Sequence, residues 1–258
     1  GATSAIDLVD ACCLAKAYVS AGIQRGVQLG SGPGPVVQTE FPCSWENFPS
    51  IVTDPTSSSD SKSSFRSMKA FSSNDKEASS DVVLGRILPI VDTVEEIKKL
   101  VKISGVTDIQ LRIKDEAEPA KITERVKVCQ EHCKSNGVNL WINDFWEAAI
   151  EAGCFGVHVG QEDLVKCILA GGLDRLRAKN MAFGVSTHSY GELAVALGVE
   201  PTYISMGPVY ATSSKKVGFH PQGLDTVQTW RRLINPRIPF VTIGGINSLE
   251  TARANKEA

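Results

Sequence analysis

A phosphate-binding loop is indicated by the stretch GPVYATSSKK, residues 207–216. Gly207 and Pro208 end an apolar run, and three small hydroxyl side chains and two lysines follow them. Hydroxyl groups and turn amides bind phosphate oxygens, and an ammonium group neutralises the phosphate charge. The side chains that this chemistry singles out are Thr212, Ser214 and Lys215, whereas Lys216 is expected to be solvated.

A second polar group alternates with apolar residues in TDIQLRIKD, residues 107–115. Gln110, Arg112 and Lys114 are spaced two apart, which places them on one face of a strand. Together with Lys215, the two cations of this group can hold a diphosphate. An edge strand with a solvated face is the alternative interpretation of these three residues.

Further polar residues stand where the next apolar runs end: Asn143, Asp144, His158, Asp163, Ser186 and the pair Gly244–Gly245. Two carboxylates at neighbouring strand ends can bind Mg²⁺, and glycine amides with hydroxyls can hold a second, separate phosphate. Taken singly, each residue has a structural interpretation. Asp144 and Asp163 suit helix N-caps, His158 suits a core histidine, and the glycine pair suits a turn. Their recurrence at strand ends favours the functional interpretation.

Alternating strand and helix patterns fill the chain from Val82 onward. The predicted strands cover residues 86–91, 107–113, 138–142, 155–159, 182–186, 202–206 and 238–243. The predicted helices lie near residues 93–104, 117–135, 145–152, 161–178, 189–198, 222–234 and 247–257. Such alternation with short loops predicts a parallel sheet, and polar residues at the strand ends are typical of a (β/α)8 TIM barrel. Seven units are visible, so we expect this chain to lack the eighth; a doubly wound open sheet is the alternative fold.

Three zones divide the chain: residues 1–50, a serine-rich linker at 51–81 with little to bury, and the βα region at 82–258. The first zone has a helical pattern over residues 5–25, followed by a glycine-proline cluster at 29–38. Since the sequence starts at Gly1 in what looks like the middle of a domain, we expect any targeting peptide to lie upstream.

Composition excludes several classes of protein. The formal net charge of −2 gives no footprint for a nucleic-acid partner, and no apolar run is long enough to cross a membrane. Seven cysteines, mostly inside apolar runs, indicate reduced thiols and a soluble intracellular protein. The run CQEHC at residues 129–133 fits a helix face better than a metal site, because no second cluster accompanies it.

Several segments, in this order and spacing, resemble thiamine-phosphate synthase over residues 86–250: VTDIQLRIKD, LWINDFW, GVHVGQEDL, GVSTHSYGE, GPVYATSSKK with PQGL, and VTIGGI. The resemblance implies a (β/α)8 barrel that joins hydroxymethylpyrimidine diphosphate to thiazole phosphate and releases pyrophosphate with Mg²⁺. It implies that both substrates are small molecules. The chemistry it implies is departure of pyrophosphate, followed by capture of a pyrimidine carbocation by the thiazole nitrogen.

The resemblance also implies roles for single residues. Gln110 and Ser186 would contact the pyrimidine, and Asp144 and Asp163 would bind Mg²⁺. The diphosphate would be held by Arg112, Lys114, Asn143 and Lys215, with His158 close by. The thiazole phosphate would be received by Thr212, Ser214 and Gly245. Two departures from the family pattern are Ala211 in place of a proline and Ser214 in place of a threonine, and the eighth strand would complete the thiazole-phosphate site.

The N-terminal stretch DACCLAKAYVSAGIQRGVQLGSGPGPV resembles the last helix and tail of hydroxymethylpyrimidine phosphate kinase, a ribokinase-like enzyme. The resemblance implies a bifunctional kinase–synthase as the parent protein. An unrelated amphipathic helix is the alternative for this stretch. A thiazole tautomerase-like barrel and a non-catalytic or regulatory barrel are the alternatives for residues 82–258. The sequence leaves open whether the chain forms a homo-oligomer, and whether it resides in the cytoplasm or a plastid.

Overall fold

The computed structural model describes residues 6–38, 40, 44–53, 64–68, 83–212 and 220–258. In these ranges a parallel sheet of seven strands alternates with helices. The strands are β1 (Ile90–Val91), β2 (Asp108–Leu111), β3 (Asn139–Asn143), β4 (Gly156–Val159), β5 (Ala182–Thr187), β6 (Tyr203–Met206) and β7 (Phe240–Thr242). The helices are α1 (Leu8–Gln24), α2 (Val94–Leu100), α3 (Pro119–Ser135), α4 (Trp146–Ala152), α5 (Gln161–Leu169), α6 (Gly172–Ala178), α7 (Tyr190–Val199), α8 (Gly223–Leu233) and α9 (Leu249–Glu257).

The strands pair in the order in which they occur along the chain, from β1 to β7. A doubly wound sheet reverses its strand order at a switch point, so that alternative is wrong. The sheet instead curls in one direction and is like that of a TIM barrel, with all ladders parallel. Every predicted strand is confirmed, although each is shorter than predicted except β3 and β5. The eighth βα unit stays a prediction.

The predicted helix over residues 161–178 is wrong in one respect, because the structure divides it into α5 and α6. Gly171 has φ 65°, in the left-handed region that ends a helix. Gly172 follows it in close contact with α5, since a Cβ there would lie 2.6 Å from Cys167 Sγ. The two glycines therefore turn the chain sharply and let α6 pack beside α5.

The interior of the curled sheet is filled by two aromatic side chains. Trp141 and Tyr203 are fully buried, and their rings meet edge to face at 5.0 Å. Space for them comes from Gly156 and Gly184 on the neighbouring strands, because a Cβ at either position would collide with one of the rings. Large and small side chains thus alternate across the barrel interior, so the interior is a packed core.

Asp108 secures the N-terminal end of the sheet, opposite to the strand ends that carry the predicted site. Its buried carboxylate accepts hydrogen bonds from Trp141 Nε1 at 3.0 Å, Asn139 Nδ2 at 3.1 Å, and Gly85 N at 2.9 Å. The Thr107 hydroxyl donates a fourth at 2.8 Å. Four donors satisfy a charge that would otherwise be costly to bury.

The N-terminal zone packs on the barrel. Helix α1 lies against α7, and Cys13 and Leu14 belong to the same apolar cluster as the barrel core. The described part of the predicted linker also differs from the expectation that it buries little. Phe65 is buried with its ring stacked on Phe183 at 4.9 Å, and Met68 is buried as well. Residues 64–68 of the serine-rich stretch therefore bury two large apolar side chains.

The run CQEHC lies on a helix, as the sequence predicts. Cys129 and Cys133 face the core from one side of α3, and burial raises the pKa of their thiols to about 11 and about 12. The described cysteines are all unpaired, whereas Cys43 lies outside the described residues. Within the described ranges, helices that combine the length and apolar character required to cross a bilayer are absent.

Candidate active site

Polar side chains collect at the C-terminal ends of the strands, as the sequence predicts. In the sheet register Asn143 is opposite His158, and Ser186 is opposite Ser205. Both His158 and Ser205 are buried, whereas Ser186 is half-buried at the surface of the cluster. Parallel strands place all of these groups on one edge of the sheet, so residues far apart in the sequence face a common space.

A chain of hydrogen bonds runs through this edge. Gln110 Nε2 donates to the Tyr203 hydroxyl oxygen at 3.4 Å, and that hydroxyl lies 2.7 Å from His158 Nδ1. On the other side of the imidazole, His158 Nε2 lies 2.7 Å from Ser186 Oγ. Ser186 Oγ in turn is 3.1 Å from Ser205 Oγ. The chain joins four strands, β2, β6, β4 and β5, to one hydroxyl at the mouth of the barrel.

The direction of this chain follows from its buried end. The Tyr203 oxygen accepts from Gln110, so its own proton is left to donate to His158 Nδ1. The imidazole then carries its proton on Nε2 and donates it to Ser186 Oγ. Burial raises the pKa of Tyr203, which keeps its hydroxyl protonated. The Ser186 hydroxyl proton is therefore free to point at Ser205 or at a bound molecule.

His158 is neutral throughout the ordinary pH range. Burial, with a smaller contribution from the charge of His188, lowers the pKa of His158 to about 3. The ring also stacks on Tyr203 at 5.4 Å with an angle of 11° between the planes, which leaves little room for water. Below pH 6.5 the unfolded chain binds a proton at this histidine and the folded chain does not.

Stability should therefore decrease as the pH falls from about 6.5 toward 3, and this histidine should contribute about 1.4 kcal/mol per pH unit. We expect His158→Gln to flatten the dependence of the unfolding free energy on pH between about pH 5 and pH 7. Urea unfolding at several pH values measures it. His220→Gln is the control, because His220 is exposed. Equal slopes for His158→Gln and the unmodified protein would contradict the assignment.

The end of β5 is held in place by its neighbours. Gln161 Nε2 donates to the Ser186 carbonyl oxygen at 2.6 Å. The Thr187 hydroxyl donates to the Ser205 carbonyl oxygen at 2.9 Å and accepts from Trp230 Nε1 at 3.1 Å. The Ser186 side chain thus stands on a strand end that is held by one bond to its backbone and by two bonds to the Thr187 hydroxyl.

The predicted cations lie at the end of β2. Gln110 is buried, Arg112 is half-buried and Lys114 is exposed. Solvent exposure therefore increases from β2 toward the mouth of the barrel. Lys114 Nζ is 3.7 Å from Asp92 Oδ2, and both side chains are about half exposed at 46% and 47%. An ion pair at that distance and exposure is weak, so Lys114 remains available to an anionic ligand.

The two predicted metal ligands are not helix N-caps, so that interpretation of them is wrong. Helix α4 has Phe145 at its N-cap and α5 has Gly160 there, whereas Asp163 is the third residue of α5. Asp144 has φ 66°, a conformation uncommon outside glycine, and its amide donates to the His158 carbonyl oxygen at 2.8 Å. Backbone conformations of this kind persist where surrounding structure enforces them, often at functional sites.

Asp163 forms an ion pair in the first turn of α5. Lys166 Nζ lies 2.7 Å from Asp163 Oδ1. This hydrogen bond raises the pKa of Lys166, and the charges of Glu162 and, to a smaller extent, Asp144 raise it further. The segments after β3 and β4 therefore both add negative charge near this lysine. Groups of three or more histidine, cysteine or acidic side chains with metal-binding geometry are absent from the described residues.

The ends of β6 and β7 form the remaining part of the site. Val209 N donates to the Ile243 carbonyl oxygen at 2.9 Å, and Tyr210 N donates to that of Gly244 at 3.0 Å. Gly244 and Gly245 both have left-handed backbone conformations, with φ 92° and 69°. Thr212 is half-buried, whereas Ser214, Lys215 and Lys216 lie outside the described residues.

Four residues of the site were not predicted from the sequence. Tyr203 and Ser205 share the spacing of two that marks an inward face, and this spacing in the run YISM was the available signal. Gln161 precedes Asp163 in the same GQED motif. Lys166 gives a weaker signal, since a lysine three residues after an aspartate in a helix usually forms only a surface pair.

Comparison with known proteins places these observations in a family. The family model described as thiamine monophosphate synthase matches residues 82–257. A thiamine-phosphate synthase of Rhizobium etli is 40% identical over 159 residues, which are 62% of this chain and 74% of the relative. A thiamine-phosphate synthase of Neisseria meningitidis is 38% identical over 165 residues, which are 64% of this chain and 77% of the relative.

Among solved structures, the thiamine phosphate pyrophosphorylase from Pyrococcus furiosus is similar to this chain with a TM-score of 0.53. The match covers 67% of this chain and 82% of that one, at 23% sequence identity. An identity this low supports the barrel-like fold alone. The family match begins at residue 82, after α1, so the N-terminal zone lies outside it.

Proposed function

Because this chain belongs to the thiamine monophosphate synthase family, we propose that the polar cluster at its strand ends is where thiamine phosphate is formed. Formation of thiamine phosphate is its activity in thiamine biosynthesis, and its substrates are small molecules. The observation that carries the placement is the hydrogen-bond chain from Gln110 through His158 to Ser186, because the His158 carbonyl oxygen also accepts from the amide of Asp144.

In the proposed reaction the C–O bond between the pyrimidine methylene and its diphosphate breaks, and pyrophosphate leaves with the bonding electrons. A new C–N bond forms when the ring nitrogen of thiazole phosphate donates its lone pair to the methylene carbon. Since the thiazole nitrogen carries no proton, a general base is not required. The test is an assay for equal amounts of thiamine phosphate and pyrophosphate from the two substrates. Pyrophosphate release without thiamine phosphate would contradict the proposal.

Arg112 and Lys114 are proposed to bind the diphosphate. They follow the C-terminal end of β2, and the weak pair between Lys114 and Asp92 leaves the lysine half exposed. An arginine can bind two phosphate oxygens at once, and a lysine adds a point charge. Lys215 is proposed to join them, with Asn143 as a neutral donor. These groups stabilise the negative charge that develops on the leaving pyrophosphate.

Ser186 and Gln110 are proposed to contact the pyrimidine. Since burial keeps His158 neutral, the imidazole adds no positive charge beside the pyrimidine as its methylene becomes cationic. The imidazole Nε2–H donates a hydrogen bond to Ser186 Oγ, so this oxygen is held in one orientation. The Ser186 hydroxyl can then donate to a ring nitrogen or accept from the exocyclic amine. Fixed dipoles of this kind stabilise a developing cation without reorganisation during the reaction.

Asp144 and Asp163 are proposed to hold Mg²⁺. Two carboxylates that follow neighbouring strands fit the small number of protein ligands typical of Mg²⁺ sites with phosphate substrates. When bound, the ion would neutralise charge on the diphosphate as a Lewis acid. Lys166 would have to move aside from Asp163, which its 72% exposure allows. The thiazole phosphate is proposed to bind Thr212, Ser214 and the backbone at Gly245.

Tyr203 is expected to matter through His158. Tyr203→Phe removes the donor to Nδ1, so the imidazole proton is no longer confined to Nε2 and Ser186 loses its fixed partner. We expect kcat/KM for the pyrimidine substrate to fall up to about tenfold, the equivalent of one hydrogen bond. Steady-state kinetics of Tyr203→Phe, Ser186→Ala and the double variant measure it.

The losses of kcat/KM in Tyr203→Phe and Ser186→Ala should not be additive, because both substitutions interrupt the same hydrogen-bond chain. Additive losses would contradict the relay from Tyr203 to Ser186. Tyr18→Phe is the control, since the Tyr18 hydroxyl bonds to Gln38 in the N-terminal zone.

We further propose that residues 1–50 are the C-terminal part of a phosphomethylpyrimidine kinase-like domain, in a bifunctional protein. The support is the helix α1, which forms where the kinase-like pattern predicts it and precedes the family match. A kinase would produce the diphosphate that the synthase consumes. The coding sequence upstream of Gly1 tests this proposal, because a ribokinase-like domain is expected there.

A further inference from the structure

A contact between distant parts of the chain lies beside the site. Asp10 Oδ1, on α1, accepts a hydrogen bond at 2.7 Å from the amide of Gly191, in the first turn of α7. The two helices approach closely at this point, since a Cβ on Gly191 would lie 2.7 Å from Val9 Cγ1. The glycine thus permits the contact, and the aspartate makes a specific bond across it.

The first turn of α7 has several amides that the helix itself cannot satisfy. Ser189 at the N-cap accepts from the amide of Glu192 at 3.3 Å. The Glu192 carboxylate turns back to accept from His188 N at 2.6 Å and from His188 Nδ1 at 2.9 Å. Asp10 supplies the acceptor for Gly191 from another element. A carboxylate at this end of a helix also interacts favourably with the helix dipole.

This turn is directly connected to the site. It follows β5, so His188 and Ser189 are two and three residues from Ser186. Gln222 Nε2 donates to the His188 carbonyl oxygen at 3.3 Å, which ties the turn to the segment after the phosphate-binding loop. An unsatisfied Gly191 amide would loosen the turn on which Ser186 is carried.

Aromatic contacts also connect the N-terminal zone with α7. The ring of Phe48 lies 6.3 Å from that of Tyr190, the first residue of α7, and Tyr190 lies 4.9 Å from the ring of Trp230. Trp230 Nε1 donates to the Thr187 hydroxyl, which donates to the Ser205 carbonyl oxygen. Both the polar and the aromatic contacts therefore lead from the N-terminal zone to the end of β5.

We propose that Asp10 is a positioning residue of the synthase site, acting through α7 on the β5–α7 turn and Ser186. This inference rests on the proposed site. It assigns to α1, which lies outside the family-matched residues 82–257, a part in the synthase reaction. The N-terminal zone is then an integral support of the active site, and a change in α1 alters how the pyrimidine substrate is held.

The test compares Asp10→Ala with Asp10→Asn and Asp7→Ala. Asp10→Ala removes the acceptor, whereas Asp10→Asn keeps an oxygen at the same place. Asp7→Ala is the matched control, because the Asp7 side chain caps α1 itself by accepting a hydrogen bond from Val9 N. We expect Asp10→Ala to lower kcat/KM for the pyrimidine substrate about threefold to tenfold, the range of a lost helix cap. The KM for thiazole phosphate should stay within about twofold, and Asp10→Asn should restore most of the loss.

Amide hydrogen exchange gives a readout that does not depend on activity. In Asp10→Ala the amides of Gly191 and Glu192 should exchange faster, whereas in Asp7→Ala they should be protected as in the unmodified protein. Unchanged kinetics in Asp10→Ala, or an equal loss in Asp7→Ala at matched thermal stability, would overturn the proposal. If the unmodified protein formed no thiamine phosphate, the proposed function would fail, while the exchange result would still decide whether Asp10 caps α7.

Discussion

Asp144→Asn and Asp163→Asn are each expected to lower synthase turnover about a hundredfold or more, the scale for removing a group that stabilises transition-state charge. The two carboxylates follow the neighbouring strands β3 and β4, and both contribute negative charge near Lys166. An asparagine keeps the shape of the side chain and removes its charge, so the loss reports electrostatics. The variants should also require more Mg²⁺ for half-maximal activity. Kinetic titration with Mg²⁺ measures this requirement.

A binding measurement separates the metal site from catalysis. Calorimetric titration of Mn²⁺ in the presence of pyrophosphate should show binding to the unmodified protein and weakened binding to either variant. Asp174→Asn is the matched control, because Asp174 forms an i,i+3 pair with Arg177 at 3.3 Å, like that of Asp163 with Lys166. Full activity of the unmodified protein in excess chelator would contradict a metal site here, as would an equal loss in the control.

The strand ends could be predicted because the signal is local. A spacing of two assigns Gln110, Arg112 and Lys114 to one face from the sequence alone, and the structure places Gln110 inward with polarity increasing toward the mouth. Parallel strands joined by helices all end at the same edge. The edge that carries Asn143, His158 and Ser186 therefore followed from the order of the elements.

The connections among these residues could not be predicted in this way. Tyr203 and His158 are 45 residues apart, and Asp10 and Gly191 are 181 residues apart. Such bonds depend on how the sheet curls and where α1 packs, and spacing along the chain contains no information on either. The break between α5 and α6 at Gly171 was also not predicted from the sequence. The apolar spacing continues from α5 into α6, so the helical pattern did not reveal the left-handed residue that separates them.

The loop that first indicated phosphate binding is only partly described. Thr212 lies within the described residues, and the roles assigned to Ser214 and Lys215 stay predictions. The opposite side of the same proposed phosphate site is described, at the end of β7. Gly244 and Gly245 follow this strand in left-handed conformations, which bend the backbone back toward Tyr210. The glycine pair therefore shapes the backbone on the β7 side of the proposed phosphate site.

Gly245→Ala is expected to raise the KM for thiazole phosphate at least about tenfold, because two penalties coincide at this position. The residue has φ 69°, which costs about 1 kcal/mol for a residue with a Cβ. The new Cβ would also lie 2.6 Å from the Ala211 carbonyl oxygen and from Tyr210 Cβ. These atoms belong to the segment that leads into Thr212, so relief of the collision displaces the backbone that is proposed to bind the phosphate.

Gly137→Ala separates the two penalties. Gly137 has φ 70°, nearly the same as Gly245, but a Cβ there meets no described atom within 4 Å. Both variants should lose a similar free energy of unfolding from backbone strain, and Gly245→Ala should lose more because of the collision. Only Gly245→Ala should change the KM for thiazole phosphate, while the KM for the pyrimidine substrate stays within about twofold in both. If the two variants had the same KM for thiazole phosphate, the backbone at Gly245 would have no part in binding it.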